Sequence, residues 1–111
     1  MIERLIKDYL AETLAVPVTL ELPPSPPTRF VVVEKTGSSV ENGVFTAMIA
    51  VQSYGGSLLA AAELNEQVKA AMDDLAELDE VCRCALNSDY NYTDPSQKRY
   101  RYQAVFDVTH Y

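Results

Sequence analysis

The last fourteen residues, KRYRYQAVFDVTHY from Lys98 to Tyr111, alternate with a period of two almost without interruption. Successive side chains on a β-strand point to opposite faces, so the segment sorts into two sets. Tyr100, Tyr102, Ala104, Phe106, Val108 and His110 are expected to face a core, and Arg99, Arg101, Gln103, Asp107 and Thr109 to face away from it. Val105 is the apolar exception in the second set. At about 3.3 Å per residue such a strand would extend roughly 45 Å, more than twice the usual length of about 5–6 residues. A strand that long is expected to bend, to carry a bulge, or to run past its own core to a neighbour.

A strand needs partners, and the sequence upstream supplies them. VPVTLEL (16–22) places Val16, Val18, Leu20 and Leu22 on one face, RFVVVEK (29–35) reads as a buried strand, and VFTAMIAVQSY (44–54) sets Phe45, Ala47, Ile49 and Val51 in phase. VCRCALNSDYNY (81–92) alternates again through Cys82, Cys84, Leu86, Tyr90 and Tyr92, and TDPSQ then turns the chain into the closing strand. Two segments have helical spacing instead. Ile2, Leu5, Ile6, Tyr9, Leu10 and Leu14 share a face, and Pro17 ends that run. Leu58, Ala61, Leu64, Val68, Ala71, Met72 and Leu75 form a second stripe, with Ser57 placed as its N-cap after the break at YGGS (54–57). The order is α-β-β-β-α-β-β, which predicts a single α+β domain over residues 1–111 with two helices on a mainly antiparallel sheet.

Two connectors stand out. PPSPP (23–27) cannot donate to a sheet and reads as a stiff spacer between strands, with a polyproline ligand as the alternative. TGSSVENG (36–43) is polar with a glycine near each end, so Gly37, Ser38, Ser39, Glu41 and Asn42 are expected to form a loose hairpin tip free to touch a partner.

Catalytic chemistry finds little footing. The one histidine, His110, sits at the end of a strand, a poor place for a general base. Cys82 and Cys84 are two apart, unsuited to bridging each other on a regular strand, and are expected to be reduced and packed against the core. With a single histidine they do not complete a metal set. The glycine pair at 55–56 lacks the lysine of a P-loop and the GxGxxG spacing, so no cofactor is expected. NYT (91–93) matches a glycosylation acceptor, but MIERLIKDYLAETL mixes charges into its apolar residues and resembles neither a signal peptide nor a membrane span. A cytosolic protein is expected. Sixteen acids against nine bases give a net charge of −7, which argues against binding nucleic acid.

Charge is distributed unevenly. Residues 63–80 hold seven acids against Lys69, with Asp73, Asp74, Glu77, Asp79 and Glu80 crowded at a helix end, while Lys98, Arg99 and Arg101 cluster without an acid among them. Opposite patches suit head-to-tail association of copies, so Lys98, Arg99, Arg101 and Gln103 on one side and Asp73, Asp74, Glu77 and Glu80 on the other are candidate interface residues. Tyrosine and arginine, the types enriched at interface hot spots, gather in the same closing stretch. The alternatives are that the arginines pair with acids of their own subunit or face water.

EKTG (34–37), NSDYNYTD (87–94) and KRYRYQAVFDVTHY (98–111) resemble the tail terminator proteins of long-tailed phages and prophages, also called tail completion or tail-to-head joining proteins. The resemblance covers the chain in length, element order and these phrases. It implies a ring, expected to have six copies, that caps the tail tube and docks to the head connector. The implied partners are further copies, the tail tube protein and a head connector or stopper protein. The implied location is the host cytoplasm during assembly and then the head–tail junction of the virion. No functional residue is carried over from the family. A head–tail stopper or other connector component is the nearest alternative. A small-ligand module with a pocket between the second helix and the sheet near Tyr54, Gly55 and Gly56, and a hydrolase built on the acidic cluster, are readings from other classes.

Overall fold

The computed structural model describes residues 1–97 and 99–111, so Lys98 lies outside the described residues. Helix α1 (Ile2–Thr13) turns Ile2, Ile6 and Leu10 inward and stops well short of Pro17, whose carbonyl accepts the Val31 N–H at 2.9 Å. The predicted strand at 16–22 shrinks to β1 (Val18–Thr19), with Val18 buried while Leu20 and Leu22 are exposed. The prolines that follow have no N–H to extend the ladder, so β1 pairs in parallel with Val31 and Val32 alone.

Strands β2 (Phe30–Glu41) and β3 (Val44–Gly55) form one long antiparallel hairpin. The loose tip expected at 36–43 is not a loop. Gly37, Ser38, Ser39 and Glu41 belong to β2, and only Asn42 lies in the turn, which is the two-residue Asn42–Gly43 with φ of 53° and 79°. Asn-Gly supplies the two positive φ values that a type I′ turn requires, and that turn carries the right-handed twist of the strands straight through the connection. A shift in register between Lys35 and Gly37 marks a bulge midway.

Helix α2 (Leu58–Asp73) begins at Ser57, whose hydroxyl accepts the Ala60 N–H at 3.1 Å. Gly55 is required immediately before it, because a Cβ there would lie 2.6 Å from the Ala61 nitrogen. The stripe Ala61, Leu64, Val68, Ala71 and Met72 is buried, with Leu75 continuing it from a short 3-10 turn; Leu58 departs from expectation and is exposed. The Tyr9 hydroxyl ties α1 to α2 by donating to the Ala71 carbonyl at 2.6 Å.

Strands β4 (Val81–Asn91) and β5 (Tyr100–His110) complete a five-stranded sheet of order β1-β2-β3-β5-β4, mixed but mostly antiparallel, in an α+β fold. The closing strand does not overrun its core. It is a central strand, paired from Tyr100 to His110 with Gly55 to Phe45 on one side and from Tyr102 to His110 with β4 on the other. Both helices pack on one face, where Val31, Val33, Ala47, Ile49, Val51, Ala104, Phe106 and Val108 meet Ile6, Leu10, Leu64 and Val68. Two register shifts in β4, between Val81 and Arg83 and between Leu86 and Ser88, break its expected phase. Cys82 is therefore exposed and not packed against the core as expected, while Cys84 is half-buried beside it. Burial, with Asp73 nearby, pushes the Cys84 thiol up to about 11, so it stays protonated at neutral pH. Among the described residues no helix is long and apolar enough to cross a membrane.

Candidate functional site

The face of the sheet opposite the helices carries the second parity set of β5, and there Arg101 is tightly held. Its Nη1 donates to the Tyr54 hydroxyl at 2.7 Å, its Nε donates to the Tyr92 carbonyl at 2.8 Å, and the guanidinium lies 4.4 Å from the Tyr92 ring centroid and 5.6 Å from that of Tyr54. Tyr54 in turn stacks on Phe30 with centroids 4.3 Å apart. Register explains the convergence. Phe30 pairs with Tyr54 and Tyr54 with Arg101, and the Tyr92 N–H bonds the Arg101 carbonyl, so one row crosses four chain segments.

The next row is hydrogen-bonded into the first. The Tyr54 hydroxyl donates to Gln52 Oε1 at 3.2 Å, Gln52 Nε2 donates to Gln103 Oε1 at 3.0 Å, and Gln103 Nε2 donates to the Tyr90 hydroxyl at 2.6 Å. Tyr90 meets Tyr92 edge to face at 5.8 Å, closing the circuit. Side chains already fixed in this way lose little further entropy when a partner binds, which makes the patch a pre-ordered platform. It also means that Arg101 and Gln103 are engaged within their own subunit, and not by acids but by aromatic rings, hydroxyls and amides.

Arg99, two residues earlier, is placed differently. It lines a cavity of about 220 Å³ at the end of the sheet, together with Pro26, Pro27, Phe30, Tyr54, Gly55 and Tyr100. Its Nη1 is buried without a hydrogen-bond partner among the described residues. The cavity borders Tyr54 and Gly55 but not Gly56, and its wall is the proline connector and not the second helix.

The acids occupy the other end of the molecule. Asp73, Asp74, Glu77 and Glu80 are exposed, and among the described residues none of them forms an ion pair. Lys69, the base within the acidic stretch, is turned elsewhere: its Nζ meets Glu66 and Asp89 at 2.9 Å each. The Lys69 hydrogen bond, aided by Asn65, holds the Asp89 carboxyl below the usual carboxylate range. No group of three or more potential metal ligands occurs among the described residues.

Strand β5 sets the distance between the two ends. Tyr100 pairs with Gly55 beside Arg99, whereas His110 pairs with Val81 and the Tyr111 N–H bonds the Glu80 carbonyl at 3.1 Å. Ten steps of about 3.3 Å separate those ends by about 33 Å, along a body measuring 44 × 25 × 24 Å. Helix α2 runs the same way, from the Gly55 end to the acidic end, so its dipole adds positive potential to the arginine end and negative potential to the acidic one. Arg29, beside Phe30, adds a third arginine to the first end; Asp94 offsets part of it while accepting from the Ser96 N–H and hydroxyl. The contribution of Arg29, and those of Gln52, Tyr54 and Tyr92, became visible only with the register in hand.

A third surface is the outer half of the β2–β3 hairpin. Because β1 covers only Val31 and Val32, the edge of β2 beyond them has no strand beside it. Val40, at 60% exposure, and Val44, Phe45 and Met48 are all open to solvent there. In comparisons with known proteins, the chain matches no protein-family model and no curated protein.

Proposed function

We propose that the protein is a structural assembly protein, a phage tail terminator that closes into a ring on the tail tube and joins it to the head connector. The resemblance of EKTG, NSDYNYTD and the closing strand to that family motivates the reading. The observation that carries it is that Arg29, Arg99 and Arg101 gather at one end of an elongated subunit while Asp73, Asp74, Glu77 and Glu80, without ion pairs among the described residues, lie toward the other, with Arg83 as the arginine on that side. A subunit with complementary ends associates head to tail, and a head-to-tail contact makes a closed ring when its rotation closes. The pre-ordered aromatic platform and the open outer edge of β2 are further surfaces for the tail tube protein and the connector. Six copies are expected in the ring.

The test is to mix the purified chain with tail tube protein and image the product by electron microscopy. Tubes with a ring at one end, and arrested growth at that end, are expected. Tubes that lengthen at both ends, with the chain left unbound in solution, would contradict the reading.

A further inference from the structure

We infer that the Arg99 cavity is a socket for a carboxylate side chain of a second copy of this chain, supplied by the acid-rich end at Asp73, Asp74, Glu77 and Glu80. The inference deepens the ring proposal and rests on it.

Arg99 and Arg101 share a strand end, yet Arg101 has Nε and Nη1 engaged while the buried Nη1 of Arg99 has no acceptor among the described residues. A guanidinium nitrogen in that position gains from an acceptor, and the planar fork of arginine matches a carboxylate in a two-point pair. The walls suit such a contact: Pro26 and Pro27 are stiff, and Phe30 and Tyr54 are locked in a stack, so little has to be ordered on binding.

Size and charge choose the occupant. At about 220 Å³ the cavity falls below the roughly 300–1,000 Å³ of sites that enclose small molecules. It fits a side chain entering from outside. The acids that complement it are on the chain itself, exposed and without ion pairs among the described residues, at and beyond the C-terminal end of α2, away from the Gly55 end. An acidic end meeting an Arg99 socket on the next copy leaves one socket and one acidic end open, so the contact propagates head to tail and makes a ring when its rotation closes.

The test uses two full-length variants under conditions where the wild-type chain associates, with tail tube protein present if association requires it. Arg99→Gln removes the socket's charge; the quadruple variant Asp73→Asn, Asp74→Asn, Glu77→Gln, Glu80→Gln removes the acids. Each alone should need about tenfold higher concentration, or more, to associate. Mixed in equal amounts they should form a 1:1 complex and stop, because one intact socket meets one intact acidic end and nothing remains to extend it. Arg99→Lys, which keeps charge without the fork, should fall between wild type and Arg99→Gln, and carries the test if Arg99→Gln does not fold. If the wild type forms rings and the Arg99 variants associate equally well, or the mixture yields no complex, the socket is overturned while the ring reading stands. A wild type that stays monomeric even with tube protein overturns both.

Discussion

The two faces of the sheet are built on different physics. The helix-covered face is mostly apolar, held by area removed from water around Ile49, Val51, Phe106 and Val108. The open face is held by directed contacts, a ring of hydrogen bonds and stacked rings running from Phe30 through Tyr54 and Arg101 to Tyr92 and back through Tyr90, Gln103 and Gln52. The first face is specified by the pattern of apolar residues and tolerates imprecision in the rest. The second depends on which residue stands opposite which, so exchanging one member removes contacts that its neighbours in the circuit rely on.

Substitutions should separate these two regimes. Phe106→Ala, at a site with 2% exposure in the central strand, is expected to lower unfolding free energy by about 3–5 kcal/mol in urea titrations. Arg101→Gln is expected to cost about 1–3 kcal/mol, because Tyr54 and the Tyr92 carbonyl lose their donor on a half-buried surface. Its loss should therefore appear as instability before it appears as failed assembly. If Arg101→Gln is as stable as wild type, the open-face circuit does not contribute to the fold. Gly43→Ala, which forces a side chain into the positive-φ position of the turn, should cost about 1 kcal/mol and leave assembly on the tube unaltered if the hairpin tip is not a contact.

The smallest effect is electrostatic. Lys69 holds the folded-state Asp89 carboxyl below its unfolded value, so this pair stabilises the fold above the ordinary carboxylate range and its contribution is lost as pH falls through the folded value. The pair is partly solvated, which limits it to about 1 kcal/mol or less. Melting temperatures of wild type and Asp89→Asn should differ at neutral pH and converge in acid. A constant difference across that range would show that Asp89 acts through packing or Asn65 alone.

Much of the architecture was legible because periodicity is a local signal. The apolar run in 29–35, the alternation in 44–54 and 100–110 and the helical stripe from Ala61 to Leu75 place most of the core, though Phe45 is exposed, and Ser57 caps α2 as its position predicts. The errors have physical sources. Asn42–Gly43 is the strongest short hairpin signal in the chain, but the serines and glycine before it resemble loop composition, and pairing with β3 overrides that composition. Bulges in β4 shift Cys82 out of phase, and nothing local in VCRCALNSDYNY announces a bulge. The partners of Arg101 were beyond reach because Tyr54 and Tyr92 become its neighbours only through register. Sequence placed the closing arginines and the acids in separate groups; the topology sets Arg99, before Tyr100, and Glu80, beside Tyr111, at the two ends of a strand about 33 Å long.

The most direct test of head-to-tail assembly through opposite ends is sedimentation velocity of the wild-type chain over a wide concentration range, at low and high salt, with and without tail tube protein. A closed oligomer of fixed size that forms more readily at low salt is expected, since exposed charges attract only within a screening length of about 8–10 Å at moderate ionic strength. A single monomeric species at every concentration and salt, with tube protein present, would contradict the account.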